Sequence, residues 1–139
     1  MKSTNSFGTQ SILSKQENCD DINSFSIRYT PSSNFLTTQI SEDASKKAVV
    51  NEQLSFNDCW QHIVYVRSGG NTLLYVNGVL TGQSSTNSRV DISNSGTLSI
   101  SQSPCLSTTD NAFAGLIDEL RIYNRVLSRT EIEELYLGP

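Results

Sequence analysis

Residues 113–136, FAGLIDELRIYNRVLSRTEIEELY, constrain the fold more than any other part of the chain, because two periodicities meet there at a chemically marked junction. Over 116–123 the residues alternate, with Leu120 and Ile122 on one face and Glu119, Arg121 and Tyr123 on the other, which predicts a strand. Asn124 and Arg125 break that run. From Ser128 the pattern becomes helical: Ser128 and Glu131 form the S-x-x-E capping box, in which each side chain satisfies a backbone N–H at the other's end. Leu127 before the cap and Ile132 after it are placed to form a hydrophobic staple, and Ile132, Leu135 and Tyr136 give one apolar stripe. So short a helix is stable only when docked, and Gly138-Pro139 ends it. The expectation is a strand, a tight corner and an intrinsic short helix pinned against a sheet.

Upstream, the signals are those of strands. Residues 25–29 alternate Phe25, Ile27 and Tyr29 with Ser26 and Arg28, and 35–40 reads as the next strand after a turn at 31–34. Residues 48–50 make a weak strand. Residues 60–67, WQHIVYVR, form the most apolar run and are expected to be central in their sheet. Asn77-Gly78, between 72–76 and 79–80, is a strong hairpin signal. A short strand is expected at 90–92 and another around Leu98 and Ile100. Abundant Ser, Thr and Asn between these runs favour short strands with polar turns over a helical bundle.

The closing stretch resembles the final motif of the laminin-G-like jelly rolls in the concanavalin A-like lectin/glucanase superfamily. Phe113, Gly115, Ile117, Asp118, Glu119, Leu120, Arg121, Ile122, Tyr123, Asn124, Leu127, Ser128, Glu131, Ile132, Leu135 and Tyr136 carry the likeness. A weaker likeness to the pentraxin ending exists. The W-x-H strand at 60–66 followed by the hairpin around Asn77-Gly78 resembles the same family, as does the ILSK element at 12–15. The resemblance implies an all-β concanavalin A-like jelly-roll sandwich of two antiparallel sheets with one short C-terminal helix. It also implies scaffold roles for Trp60 (in the core), Gly78, Gly115, Asp118, Tyr123, Leu127, Ser128 and Glu131. Where family members continue with glycine after the strand at 98–100, this chain has Ser101. Roughly two family strands precede residue 11 and have no counterpart here. The expectation is therefore one domain over 1–139, incomplete at its N-terminus, with 1–10 either disordered or a makeshift edge strand; without that strand the sandwich carries an open side that invites pairing.

The length suits one domain with a real core, and the net charge of -4 without a basic block argues against nucleic acid or an anionic membrane as partner. No apolar run is long enough to span a bilayer, and residues 3–11, polar apart from Phe7, lack the apolar core of a leader. Cys19, Cys59 and Cys105 leave two readings open: one disulfide plus a free thiol in an oxidising compartment, or three thiols in a reducing one.

Glucanases of the superfamily use E-x-D-x-x-E on one strand. Aligning Asp118 with the central Asp puts Leu116 and Arg121 where the two working carboxylates belong, so the chain is read as no enzyme and Asp118 as a structural acceptor. Calcium needs six to eight oxygens; Asp20, Asp21 and Asp110 are the weak candidates, and no other cofactor is expected. His62, the sole histidine, is read as packed. Sugars stack on rings ringed by polar groups, and among Tyr29, Phe35, Tyr65 and Tyr75 the last two are the weak ligand-binding candidates. The function expected is a non-catalytic carbohydrate- or protein-binding adhesion module of a larger extracellular or cell-surface protein, its partners a glycan or extracellular protein and the parent chain's other domains. The alternatives are a structural spacer without ligand and a glycoside hydrolase-related domain.

Overall fold

The computed structural model describes residues 1–4, 7–55 and 59–138. In chain order the elements are β1 (Lys2–Ser3), β2 (Gln10–Lys15), β3 (Ser24–Thr30), β4 (Phe35–Ser41), β5 (Lys47–Gln53), β6 (Ile63–Ser68), β7 (Asn71–Val76), β8 (Val79–Ser85), β9 (Leu98–Ile100), β10 (Asn111–Ala112), β11 (Gly115–Leu116) and α1 (Arg129–Leu137). A six-stranded sheet runs β10-β2-β3-β4-β5 with β9 also on β2; a three-stranded sheet runs β6-β7-β8; and β1 pairs with β11 as a ribbon. All pairings between named strands are antiparallel except β10 with β2. The result is a jelly-roll β-sandwich with one short helix.

The two larger sheets close on a shared apolar layer. Ile12, Leu13, Tyr29, Leu36 and Val50 from one sheet meet Leu74 and Val76 from the other, with Phe113 alongside. Burial of this layer is the main stabilising term, at roughly 25 cal/mol per Å² of apolar surface removed from water. Deep polar side chains in the same region are paired: Gln10, fully buried, donates to the Phe7 carbonyl at 3.3 Å and accepts from the Ala114 N–H at 3.2 Å. That pair ties the start of β2 to the approach of β11. The Cys19–Cys105 disulfide joins loops 86 residues apart, and Cys59 is an exposed free thiol.

Two glycines are required where they stand. Asn77 (φ 52°) and Gly78 (φ 78°) both take the left-handed turn of the β7–β8 hairpin, a conformation that only residues such as Gly and Asn adopt readily. At Gly115 a Cβ would run into the Lys2 carbonyl and the Phe113 ring, so no larger residue lets β1 lie on β11. Ser101, standing where family members carry glycine, is itself left-handed at φ 57°.

Several expectations are corrected. The strand expected over 116–123 is confined to Gly115–Leu116; residues 117–127 are in neither helix nor strand, with Leu120 48% and Ile122 70% exposed. Alternation makes a segment competent for a strand, and pairing has to come from a neighbour. The run at 60–67 yields β6, which starts at Ile63 and lies at the edge of its sheet rather than in its middle. Residues 48–50 belong to a full seven-residue strand, β5, while 90–92 form no strand: Val90 instead inserts, fully buried, between Ile40 and Ala48. Of the N-terminal stretch, Lys2–Ser3 is a strand. Residues 5 and 6 of it lie outside the described residues.

Candidate functional site

At one end of the smaller sheet the chain entering β6 is fastened on both sides. The His62 N–H donates to Asn77 Oδ1 at 2.9 Å, and the Asn77 N–H donates to the His62 carbonyl at 2.8 Å. Asn77 Nδ2 donates to Gln61 Oε1 at 2.9 Å. From the other side the Met1 ammonium donates to the Gln61 carbonyl at 2.7 Å, and the Gln61 N–H donates back to the Met1 carbonyl at 2.8 Å. Five hydrogen bonds thus hold residues 61 and 62 to the hairpin turn and the first residue. Asn77, singled out by its turn propensity, is also the bracket that joins them.

This bracing presents rings to water. Trp60, the sole tryptophan, is 51% exposed. Its expected place in the core is corrected: Trp60 precedes the paired part of β6, where among the described residues no opposing sheet covers it. Two residues on, the His62 ring lies 5.8 Å from the Tyr136 ring, tilted by 32°. Tyr136, on the last turn of α1, is 45% exposed and rests on the hairpin, where a Cβ at Gly78 would meet its Cδ1 at 3.1 Å. Gly78 therefore serves the turn and also makes room for this ring. Burial, followed by the nearby terminal ammonium, lowers the pKa of His62, so it is a neutral ring at physiological pH.

Helix α1 is set as the sequence dictates. Ser128 Oγ accepts from the Glu131 N–H, and Glu131 accepts from the Ser128 N–H at 2.7 Å, completing the capping box. Leu127 and Ile132 pack together with Val66 and Tyr75, which places the helix on the outer face of β6 and β7. Arg125 adds a two-pronged ion pair to Glu131, its Nη2 at 2.6 Å and its Nη1 at 3.1 Å.

Along β6, with His62 in its lining, runs a groove of about 730 Å³. One wall is β6, the other is 117–127, and Ile12, Leu13, Ile27 and Ile100 contribute apolar lining. Asp118 and Glu119 stand at it but do not face each other as a catalytic couple. Asp118 Oδ1 accepts from the adjacent Glu119 N–H at 2.9 Å, and Glu119 Oε2 accepts from Arg121 Nε at 3.1 Å and Nη2 at 2.6 Å. Asp118 thus accepts from its own neighbour, a local bond that ties no two elements together.

The other candidates are dispersed. Tyr75 is 6% exposed, inside the cluster under α1, whereas Tyr65 is half-buried and lines the groove, its ring 5.7 Å from Phe25 and its phenol pushed by burial to a pKa of about 12. Tyr123 is half-exposed on 117–127. Asp20 accepts from the Ile22 N–H, while Asp110 is buried with Arg28 3.9 Å away and Ser103 and Thr109 hydroxyls on its oxygens. Among the described residues, no three acidic, histidine or cysteine side chains converge as a metal site. The ring face went unread because alternation tells which residues share a face and is silent on which face meets water.

The sequence matches the family model of the concanavalin A-like lectin/glucanases superfamily over residues 1–133. Among solved structures, part of an S-layer domain-containing protein from Clostridium thermocellum is similar over 98% of this chain, at 20% identity and a TM-score of 0.45. This chain spans 66% of that one's length. No curated protein matches the sequence.

Proposed function

Because the chain belongs to the concanavalin A-like lectin/glucanases superfamily, we propose that it is a non-catalytic carbohydrate-binding module of a larger extracellular or cell-surface protein, with Trp60 and Tyr136 as its stacking rings. The observation that carries this reading is the half-exposed indole directly before residues 61 and 62, which five hydrogen bonds hold to the hairpin turn and the first residue. Pyranose faces stack on such rings because their axial C–H groups meet the negative π face, and a rigid support limits the entropy lost on binding. The Cys19–Cys105 disulfide supports an oxidising compartment. Engagement of Asp118 and Glu119 with neighbouring donors supports binding without turnover.

The test is a glycan array followed by isothermal titration with the wild type, Trp60→Ala and Tyr136→Ala. The expected outcome is saturable binding to at least one glycan, weakened about tenfold by each substitution, tenfold being about 1.4 kcal/mol, with unchanged far-UV circular dichroism. Absence of binding throughout the array at high protein concentration favours the spacer reading. Binding indifferent to both substitutions moves the site elsewhere.

A further inference from the structure

Lys15, the last residue of β2, sits in a row of apolar residues. Across the larger sheet its register partners run Leu98, Lys15, Phe25, Ile40, and Phe25 and Ile40 pack in the core. An ammonium on such a face costs free energy unless its donors are filled. Lys15 is half-buried, and among the described residues it forms no ion pair. Neutral oxygens of one turn fill it instead: the Asn94 carbonyl accepts at 3.0 Å, Asn94 Oδ1 at 3.1 Å and the Gly96 carbonyl at 2.9 Å. An ammonium has three donors, so none is left over.

The turn fixes those oxygens by its own bonds. Asn94 Nδ2 donates to the carbonyls of Asn23 at 2.5 Å, Ile92 at 3.2 Å and Lys15 at 3.4 Å, which leaves its Oδ1 facing the ammonium, where it also accepts from the Gly96 N–H at 2.8 Å. A Cβ at Gly96 would run into the Gln16 carbonyl, so the turn lies directly on the backbone beside Lys15. Neutral carbonyl oxygens arranged in this way replace the hydration shell of a monovalent cation, as in potassium-selective filters. Calcium fits the set poorly. The three acceptors include no carboxylate and stand 2.9–3.1 Å from the charge, wider than the ~2.3–2.6 Å of calcium sites.

We propose that the turn at 94–96 is a monovalent-cation site whose ion is supplied covalently, as the Lys15 ammonium. Tethered through β2, that ion is never released, and the turn is ordered without a bound metal. Its effect reaches the core, because the turn closes the loop that buries Val90 against Ile40 and Ala48. Removing the ammonium while leaving the oxygens in place should uncover the site to a free cation of similar size. None of these residues belongs to the ring face, so the proposal does not depend on glycan binding.

Thermal melts of the full chain test it, with the wild type, Lys15→Met and Lys15→Ala each in ammonium chloride and in tetramethylammonium chloride at equal concentration. Lys15→Met keeps an apolar stem and removes the charge, whereas Lys15→Ala also leaves room for a free ion. Both substitutions are expected to lower the Tm by about 5–10 °C. Ammonium should then raise the Tm of Lys15→Ala by about 2 °C more than tetramethylammonium, a larger cation without N–H donors, and should make no such difference to the wild type or Lys15→Met. If Lys15→Ala is unfolded in tetramethylammonium chloride, folding in ammonium chloride is the same result, and an unfolded chain in both salts overturns the proposal. So does a Lys15→Met melt that coincides with the wild type, which leaves the charge idle. An equal response of Lys15→Ala to the two salts, or the same difference in the wild type, overturns it as well.

Discussion

Glu131 joins three groups that neither helix propensity nor packing supplies. It accepts from the N–H of Ser128 and from both terminal nitrogens of Arg125, and these bonds, Arg125 first, hold its carboxyl down to a pKa of about 2 against an ordinary 4.5. A carboxyl depressed in the folded state stabilises fully above its unfolded pKa, and that contribution disappears as pH falls through the folded one. The wild type should therefore lose this contribution to stability progressively between about pH 4.5 and 2, and Glu131→Gln should flatten that part of the profile; thermal melts across this range check it. Solvent screens the pair, so the effect is modest. This residue was legible from S-x-x-E spacing alone, because a cap is local chemistry. Trp60 was not: its exposure depends on β6 pairing only from Ile63 onward, a fact of the sheet rather than of the residues beside it.

At the scale of elements, α1 is a short helix stabilised by what it touches. Ile132 is fully buried between Leu127, Val66 and Tyr75, so Ile132→Ala opens a cavity and should cost about 2–5 kcal/mol in urea denaturation. Ser128→Ala, which removes one cap bond, should cost about 1 kcal/mol. Hairpin β7–β8 was readable for the same reason as the cap: Asn77-Gly78 states its turn geometry within two residues. The strand over 116–123 and the central place of 60–67 were misread for one shared reason. Both expectations concern which strand lies next to which, and β6 and 117–127 each lack the neighbour that alternation alone leads one to assume. Sheet edges are decided at long range. The burial of Tyr75 falls in the same class, since a helix more than fifty residues downstream covers it.

Across the whole molecule, the Cys19–Cys105 bond restrains the unfolded chain over a separation of 86 residues. In the loop-entropy account this is worth roughly 4–5 kcal/mol, so reduction, or Cys19→Ser with Cys105→Ser, should lower the urea midpoint substantially. Cys59→Ser, at an exposed free thiol, should leave it in place. Three cysteines admit several pairings, and only the folded topology selects this one. The jelly-roll architecture itself was readable, because the closing motif, the hairpin and the alternating runs agree with one another. The proposed stacking rings were not, for the exposure of Trp60 and Tyr136 is set by the fold and not by the residues beside them. Since Trp60 is the sole indole, the most direct measurement is its fluorescence and its Nε1–H NMR resonance during titration with a glycan bound by the wild type. The account predicts that both move saturably with the same dissociation constant. An indole signal that stays fixed while the glycan binds would contradict it.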